Sequence, residues 1–322
     1  MTLNLITGGA GFIGSNLARE LCARGEGVRI LDNFSTGHRS NLEGLDGAEI
    51  IKGDILNPET CARACEGAEF VFHQAAVPSV PRSIKDPVAS HHACATGTAN
   101  VLWAAHQASV RRVMYAGSSS VYGNTPTLPK EESMRPDPRS PYAVAKLAGE
   151  HYGRAFFLSY GLETVTLRYF NVFGPHQDPG SPYSGVLSVF ITRLLRGEAC
   201  TLNGDGEASR DFTYIDNVVA ANLLARSSPR APGNVYNVGY GRRVTLSWVY
   251  EFLANELGVK LPPRYGPERP GDVKHSLADI AAARRDLEYD PAVDVETGLR
   301  KTIAWYRQQE IRGQATTAAS RA

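Results

Sequence analysis

Thr7-Gly8-Gly9-Ala10-Gly11-Phe12-Ile13-Gly14 is the stretch that decides the fold. A short apolar run, Leu3-Asn4-Leu5-Ile6-Thr7, leads into it. Beyond it, Ile13, Leu17, Ala18 and Leu21 recur at helical spacing between Phe12 and Ala23, so the glycines lie on a turn from strand to helix. Gly8 permits the tight turn, Gly11 a close approach of the backbone to a pyrophosphate, and Gly14 close packing of helix on sheet. The helix start offers free N–H groups and a positive dipole end to phosphates. Glycine triplets also occur in plain turns, so the context matters. The next strand, Val28 to Asp32, ends in an acid placed to accept from adenosine ribose hydroxyls and repel a 2′-phosphate. Asn33 and Phe34 follow it, with no Arg beside it, so NAD is favoured over NADP.

The alternation continues outward. Glu49 to Lys52, Phe70 to Phe72 and Arg112 to Ala116 read as strands, and Ala89 to Gln107 and Pro141 to Ser159 as helices. Strands alternating with helices imply a doubly wound α/β fold, a parallel Rossmann sheet covered on both faces. Past residue 170 Pro and Gly become more frequent, which predicts a smaller C-terminal substrate-binding lobe. The expected division is 1–172 for the Rossmann domain, with segments near 205–240 rejoining it. Residues 173–311 form the lobe and 312–322 a frayed tail.

Composition narrows the class of function. The 322 residues carry 34 Lys plus Arg against 33 Asp plus Glu, a net charge of +1 that gives no field for nucleic acid or an anionic membrane. No apolar run reaches the ~18–20 residues of a spanning helix. The chain enters its first strand with no basic, apolar leader, so a cytoplasmic location is expected. Five scattered cysteines do not make a disulfide framework. Cys61 and Cys65 share a helical face without a His pair or second Cys pair, so no metal site is expected.

Tyr142-Ala143-Val144-Ala145-Lys146 puts a phenol and an ammonium one turn apart on a helix. The ammonium favours phenolate, so Tyr142 can take a proton from a substrate hydroxyl. That spacing alone also suits a surface contact. Ser118, at the carboxyl end of a parallel strand, adds a hydroxyl where ligands bind such sheets. Gly117 to Ser120 could alone be a polar turn; the order glycine loop, serine, Tyr-x-x-x-Lys favours the catalytic reading.

At these residues the sequence resembles the extended short-chain dehydrogenase/reductase superfamily, and within it the UDP-hexose 4-epimerases. The resemblance runs from about Leu3 to Tyr306. It is carried by residues 7–14, Leu-Asp-Asn (31–33), Gly-Asp-Ile (53–55), His-Gln-Ala-Ala (73–76) and Ser-Ser-Ser-Val-Tyr-Gly (118–123). It continues through Tyr142 and Lys146, Arg-Tyr-Phe-Asn-Val-Phe-Gly (168–174), Gly-Asp-Gly-Glu-Ala-Ser-Arg-Asp-Phe (204–212) and Arg-Pro-Gly-Asp (269–272).

The resemblance implies NAD bound by Gly8, Gly11, Phe12, Ile13 and Gly14, with Asp32, Asn33, Phe34, Ser35, Thr36 and Gly37 around the adenosine. Asp54 and Ile55 would meet the adenine. Gln74, Ala75, Ala76 and Pro78 would line the nicotinamide side with Tyr142, Lys146 and Phe170. For the substrate it implies Ser118, Ser119, Tyr142 and Asn171, then Gly185 and Val186. Thr201, Leu202 and Asn203 would lie near the uracil, and Arg210, Arg269 and Asp272 on the diphosphate and ribose. The implied chemistry is a redox detour: Tyr142, aided by Ser118, deprotonates the sugar 4-hydroxyl while hydride leaves carbon 4. The 4-keto sugar turns over, and hydride returns to the opposite face.

In related epimerases the position four after the Arg-Pro-Gly-Asp acid walls carbon 2 of the sugar. Here it is the small Ser276, and with Gly185 it leaves room for an N-acetyl group. Residues 173–179 and the Gly-Asp-Gly stretch look most like epimerases of UDP-N-acetylglucosamine. Two positions depart from the pattern: Pro78, where N-acetyl-preferring relatives can carry glycine, and Cys94, where the family commonly has Asn.

Rival readings on the same frame are a 4,6-dehydratase or decarboxylase, a UDP-glucuronate 4-epimerase and a non-catalytic NAD-binding module. The dehydratases place an Asp-Glu pair after the strand-end hydroxyl, whereas Ser119 and Ser120 stand here. UDP-glucuronate epimerases share Arg-Asp-Phe-Thr-Tyr-Ile-Asp (210–216). Helices 89–107 and 141–159 expose Ala, Val and Leu enough to pair across a two-fold axis, so a homodimer is expected.

Overall fold

In the computed structural model, which describes residues 2–178, 180, 185–268 and 273–319, strand and helix alternate from the first residues. The order opens β1 (Leu3–Thr7), α1 (Phe12–Ala23), β2 (Gly27–Asp32), β3 (Glu49–Lys52), α2 (Pro58–Cys65), β4 (Phe70–His73), α3 (Val80–Lys85), α4 (Pro87–His91) and α5 (Gly97–Gln107). It proceeds through β5 (Arg112–Ser118), α6 (Pro141–Tyr160), β6 (Glu163–Tyr169), β7 (Val172–Phe173), α7 (Val186–Leu195), β8 (Thr201–Asn203), β9 (Ser209–Asp211), β10 (Thr213–Tyr214) and α8 (Ile215–Ser227). It closes with β11 (Val235–Val238), β12 (Arg243–Thr245), α9 (Leu246–Leu257), β13 (Arg264–Gly266), α10 (Ala281–Leu287) and α11 (Val295–Ala319).

Seven strands form one parallel sheet in the order β11-β6-β5-β4-β1-β2-β3. The direction of winding reverses between β1 and β4, and at such a switch point the strand ends leave a crevice for ligands. Alternation along the strands feeds two cores. Ile6, Ile30, Phe72 and Met114 face α1 and α8, whereas Leu5, Leu31, Val71 and Val113 face α2 and α5. This is the doubly wound arrangement expected from the sequence. The lobe beyond β7 holds two small ribbons, β9 antiparallel to β12 and β8 parallel to β13, packed with α7 and α9.

Several boundaries differ from expectation. The stretch 89–107 is not one α-helix: a π turn, His92–Thr96, separates α4 from α5. There the Thr98 hydroxyl donates to the Cys94 carbonyl (2.7 Å), and Gly97 lies so close to Ile55 that a Cβ would come within 2.4 Å of its Cδ1. β5 runs two residues further than Ala116, making Ser118 its last residue. Residues 312–319 continue α11 where a frayed tail is expected. β11 and α8 return to the main sheet, but β9 pairs within the lobe, so the returning segment starts later than 205.

No described helix is long and apolar enough to cross a membrane. All five cysteines are free. Cys61 and Cys65 pack in the α2–α5 core, where burial pushes both thiols up to about 12.

Candidate active site

The glycine loop is built to admit little but backbone. Gly8 holds φ +70°, and a Cβ there would meet the Ala75 N and Cα at 2.7 Å. A Cβ on Gly14 would come within 2.3 Å of the Gly8 carbonyl oxygen. Helix, loop and the segment after β4 are thereby pressed together, and no side chain caps the start of α1. Gly37 closes the loop from the other side, where a Cβ would lie 2.8 Å from the Ala10 carbonyl carbon.

Asp32 ends β2 nearly buried, its two oxygens accepting from Ala10 N (2.8 Å) and Phe34 N (2.7 Å). A carboxylate has about four lone-pair positions, so capacity for ribose hydroxyls remains. Asn33 donates to Asp54 (2.8 Å) and accepts from Ser35 N (2.9 Å), gathering the segments after β2 and β3 at one edge. Thr36 is exposed beside them, whereas Ile55 is buried over Gly97.

After β4, Gln74 is held by Tyr169 Oη (3.2 Å) and the Asn222 amide (3.3 Å), and Ala75 N donates to Thr7 Oγ1 (3.3 Å). Ala76 is half-buried and Pro78 exposed. Behind them lies a polar chain that sequence reasoning missed. His73 is wholly buried, with Nδ1 2.6 Å from Thr7 Oγ1 and Nε2 3.0 Å from Thr98 Oγ1. Thr98 gives its one proton to the Cys94 carbonyl, so it accepts from His73 Nε2–H, and Nδ1 accepts from Thr7. Burial, and then the Lys146 charge, pull the His73 pKa down to about 3 and keep the ring neutral. The chain ties the glycine-loop strand to the π turn. Its signal was His73 within His-Gln-Ala-Ala, but the partner threonines stand 66 and 25 positions away.

Ser140 caps α6 by accepting from Ala143 N (3.2 Å), and Pro141 presets its first turn, which brings Tyr142 and Lys146 under the end of β5. Ser118 Oγ is 2.8 Å from Ser120 Oγ, with the half-buried Ser119 between them. Burial raises the Tyr142 phenol above its ordinary range, with Cys94 adding to the rise and the hydrogen bond to Ser118 opposing it. Burial lowers the Lys146 pKa. Its ammonium sits 4.6 Å over the Tyr115 ring, and Tyr115 Oη donates to the Lys146 carbonyl (3.1 Å). Cys94, Ala95 and Ala145 form a small apolar cluster against Tyr142 and Ala76, so the departure at Cys94 faces the centre of the site.

On the lobe side, Asn171 takes φ +34° and donates through Nδ2 to the Asp211 carbonyl (3.0 Å) and Ser276 Oγ (3.0 Å). Both amide protons are thus committed, leaving Oδ1 as the free face. Arg210 lies half-buried, donating to the carbonyls of Ser209 (3.0 Å) and Lys274 (2.9 Å). Asp211 was not singled out from the sequence. Fully buried, it accepts from the N–H groups of Tyr240 (2.8 Å), Gly241 (3.0 Å) and Ala278 (3.1 Å), binding three lobe segments behind Arg210 and Ser276. Burial outweighs those bonds and raises its carboxyl to about 6.

Gly185 and Val186 open α7, with Gly185 beside the Gln177 amide. Thr201 and Asn203 reach the surface of β8, but Leu202 is enclosed by strand alternation. Phe170 is likewise enclosed, its ring 6.1 Å from Tyr122, and supports the site from behind. Arg269 and Asp272 lie outside the described residues. Among the described residues no cluster of His, Cys, Asp and Glu could hold a metal.

Comparison with known proteins follows the same lines. The family described as "NAD dependent epimerase/dehydratase family" matches residues 4–239. A UDP-glucose 4-epimerase of Mycolicibacterium smegmatis is 37% identical over 310 residues, covering 95% of this chain and 98% of the relative. UDP-glucuronate 4-epimerase 1 of Arabidopsis thaliana is 33% identical over 330 residues, covering 94% and 76%. Among solved structures, UDP-N-acetylglucosamine 4-epimerase from Methanobrevibacter ruminantium M1, in complex with UDP-N-acetylmuramic acid, superposes with a TM-score of 0.92 at 38% identity. It covers 96% of this chain and 99% of its own.

Proposed function

The chain belongs to the NAD dependent epimerase/dehydratase family, and from that premise we propose that it inverts carbon 4 of a UDP-hexose. The observation that carries this reading is the set at the end of β5: half-buried Ser118 beside Tyr142, the buried Lys146 one turn on, and only Ser119 and Ser120 following. A 4,6-elimination needs an acid and a base at carbons 5 and 6, and no carboxylate stands there.

The residues fit NAD. The glycine cradle would be filled by any Cβ at Gly8 or Gly14, and the Asp32 carboxylate keeps acceptor capacity at the end of β2. Gly8, Gly11 and Gly14 would hold the pyrophosphate, Asp32 the ribose, and Gln74 to Ala76 the nicotinamide side. When bound, NAD supplies the reversible hydride acceptor that inversion without net oxidation requires. Tyr142 takes the proton of the 4-hydroxyl and later returns it. Ser118 orients that oxygen, and Lys146 lowers the cost of the phenolate. Burial alone opposes phenolate, so a neighbouring positive charge is needed for Tyr142 to act as base near neutral pH.

We assign 1–172, with α8 and β11, to cofactor binding, and 173–311 to the sugar nucleotide. Arg210, Arg269 and Asp272 of that lobe, with Asn171 at its boundary, would anchor the diphosphate and ribose. Ser276 is small and its hydroxyl is engaged by Asn171, which supports room beside carbon 2 for an N-acetyl group. The chain is proposed to act in the cytoplasm as a homodimer. Its exposed apolar face joins Val88, Trp103, Val144, Tyr152 and Tyr160 from α4, α5 and α6.

The test incubates purified protein, without added NAD, with UDP-galactose, UDP-N-acetylgalactosamine and UDP-galacturonate, following the carbon 4 epimer by NMR. Conversion of the N-acetyl sugar is expected. Conversion of UDP-galactose alone would show the pocket closed near Pro78, and conversion of the uronate alone would reassign the substrate. No epimer from any sugar, with NAD bound, would refute the reading.

A further inference from the structure

Tyr142, Lys146 and Glu150 stand at successive turns of α6, so phenol, ammonium and carboxylate share one helix face. Lys146 and Glu150 are both nearly buried, 3% and 6% exposed. At that spacing and in that burial, a free Glu150 would pair with Lys146. Instead both Glu150 oxygens go to one guanidinium on β6: Arg168 Nε donates to Oε2 (2.9 Å) and Nη2 to Oε1 (2.6 Å). Arg168 is itself held from the far side. Its Nη1 donates to Tyr122 Oη (2.7 Å), which donates to Asn237 Oδ1 (2.6 Å), and its guanidinium carbon lies 4.8 Å over the Tyr122 ring. Lys146 rests on the neutral Tyr115 ring, for which Gly149 clears space, since a Cβ there would fall 2.2 Å from Tyr115 Oη.

We propose that Arg168 is a positioning residue that withholds Glu150 from Lys146, so that the ammonium's field acts on Tyr142. A Lys146–Glu150 pair would be neutral and would bring a carboxylate toward the phenol, and both effects disfavour phenolate. The other groups around Lys146 and Tyr142 carry little compensating charge. They are His73 on β4, neutral by burial, Tyr115 and Ser118 on β5, and Cys94 on the π turn. Tyr122 stands beyond them, bonded to Arg168.

The inference rests on Tyr142 as the base, and its test reads that phenol directly. The tyrosinate absorbance of each NAD-loaded protein is titrated against its Tyr142→Phe counterpart, beside the pH profile of carbon 4 inversion. Arg168→Met is expected to raise the Tyr142 pKa by about one unit and carry the acid limb of turnover with it. Glu150→Gln does not raise it, and the double variant Arg168→Met/Glu150→Gln reverses the rise. If Arg168→Met does not fold, Arg168→Lys, whose ammonium covers one carboxylate oxygen, gives a smaller rise that Glu150→Gln again reverses. An equal rise in Glu150→Gln, no rise in the Arg168 variants, or a double variant that stays shifted would each overturn the proposal. Absorbance shifts as expected in a protein that epimerises no sugar would refute the epimerase reading and leave this one standing.

Discussion

Gly14→Ala and Gly153→Ala make the same chemical change inside two helices, and the structure gives them opposite outcomes. At Gly153, in α6, the new methyl would lie 3.6 Å from Thr164 Oγ1, an ordinary contact. Alanine there gains helix propensity and restricts the unfolded chain, a stabilisation of about 0.5–1 kcal/mol. At Gly14 the methyl would lie 2.3 Å from the Gly8 carbonyl oxygen and 2.8 Å from the Gly9 Cα, both backbone atoms that no rotamer can move. Relief to normal contact needs a loop displacement of about 1 Å, an overpacking cost of roughly 1–3 kcal/mol against about 1 kcal/mol gained in propensity. The net loss in stability is therefore modest, about 0–2 kcal/mol. The loss in NAD binding is larger, because the displaced loop is the phosphate cradle. Losing two charge-assisted amide bonds at about 1.5 kcal/mol each weakens binding roughly 100-fold. Urea unfolding of the NAD-free proteins and calorimetric NAD titration measure the two effects separately. A Gly14→Ala protein that binds NAD like wild type would refute the cradle. A destabilised Gly153→Ala would refute the contact argument used for both.

Tyr142→Phe is expected to lower turnover by at least about 1000-fold while the protein still retains NAD, measured as nucleotide released on denaturation. Retained activity would remove Tyr142 from the chemistry. His73 ties stability to pH. Its folded pKa of about 3 lies below the unfolded value of 6.5, so the unfolded state binds the extra proton between them. Its stabilising contribution is therefore full above pH 6.5 and is lost as pH falls toward 3, at up to about 1.4 kcal/mol per unit. His73→Gln flattens that part of the pH–stability curve measured by urea unfolding, and an unchanged slope would contradict the neutral, doubly bonded ring. Trp103→Glu charges an apolar face where Trp103 and Tyr160 meet edge to face at 5.9 Å, and it should convert the proposed homodimer to monomer by light scattering. A wild-type monomer would refute the proposed dimer, and a Trp103→Glu protein that stays dimeric would place the two-fold face elsewhere.

The parts of this molecule legible in the sequence are those whose physics is local. The glycine loop, the alternating strands, Asp32 at a strand end and the Tyr142–Lys146 spacing all concern neighbours within a few residues, and periodicity reports such neighbours directly. Alternation is legible too, and it excludes one residue of the run expected near the uracil. Thr201 to Asn203 form a strand, so the middle residue, Leu202, turns inward. The π turn at His92–Thr96 was invisible because one extra residue per turn leaves the apolar pattern of 89–107 nearly unchanged. Beside it the Thr98 hydroxyl donates to the Cys94 carbonyl one turn back, and Ile55 presses on Gly97 from outside the helix, a tertiary contact.

The charge state of the site was the hardest part to read, for a related reason. Counting residues on α6 alone places Glu150 one turn from Lys146, and an isolated helix would join them. The partner that prevents this, Arg168, stands 18 positions away and reaches Glu150 only because β6 lies beside β5 in the sheet. Ser276 meets Asn171 across 105 positions, and Asp211 gathers N–H groups from as far as 67 positions on. A sequence motif names the groups that do chemistry. Their protonation depends on which counter-charges the topology brings near and which it keeps occupied. A residue such as Arg168 therefore governs Tyr142 without touching it, by holding a carboxylate that the helix alone would have given to Lys146.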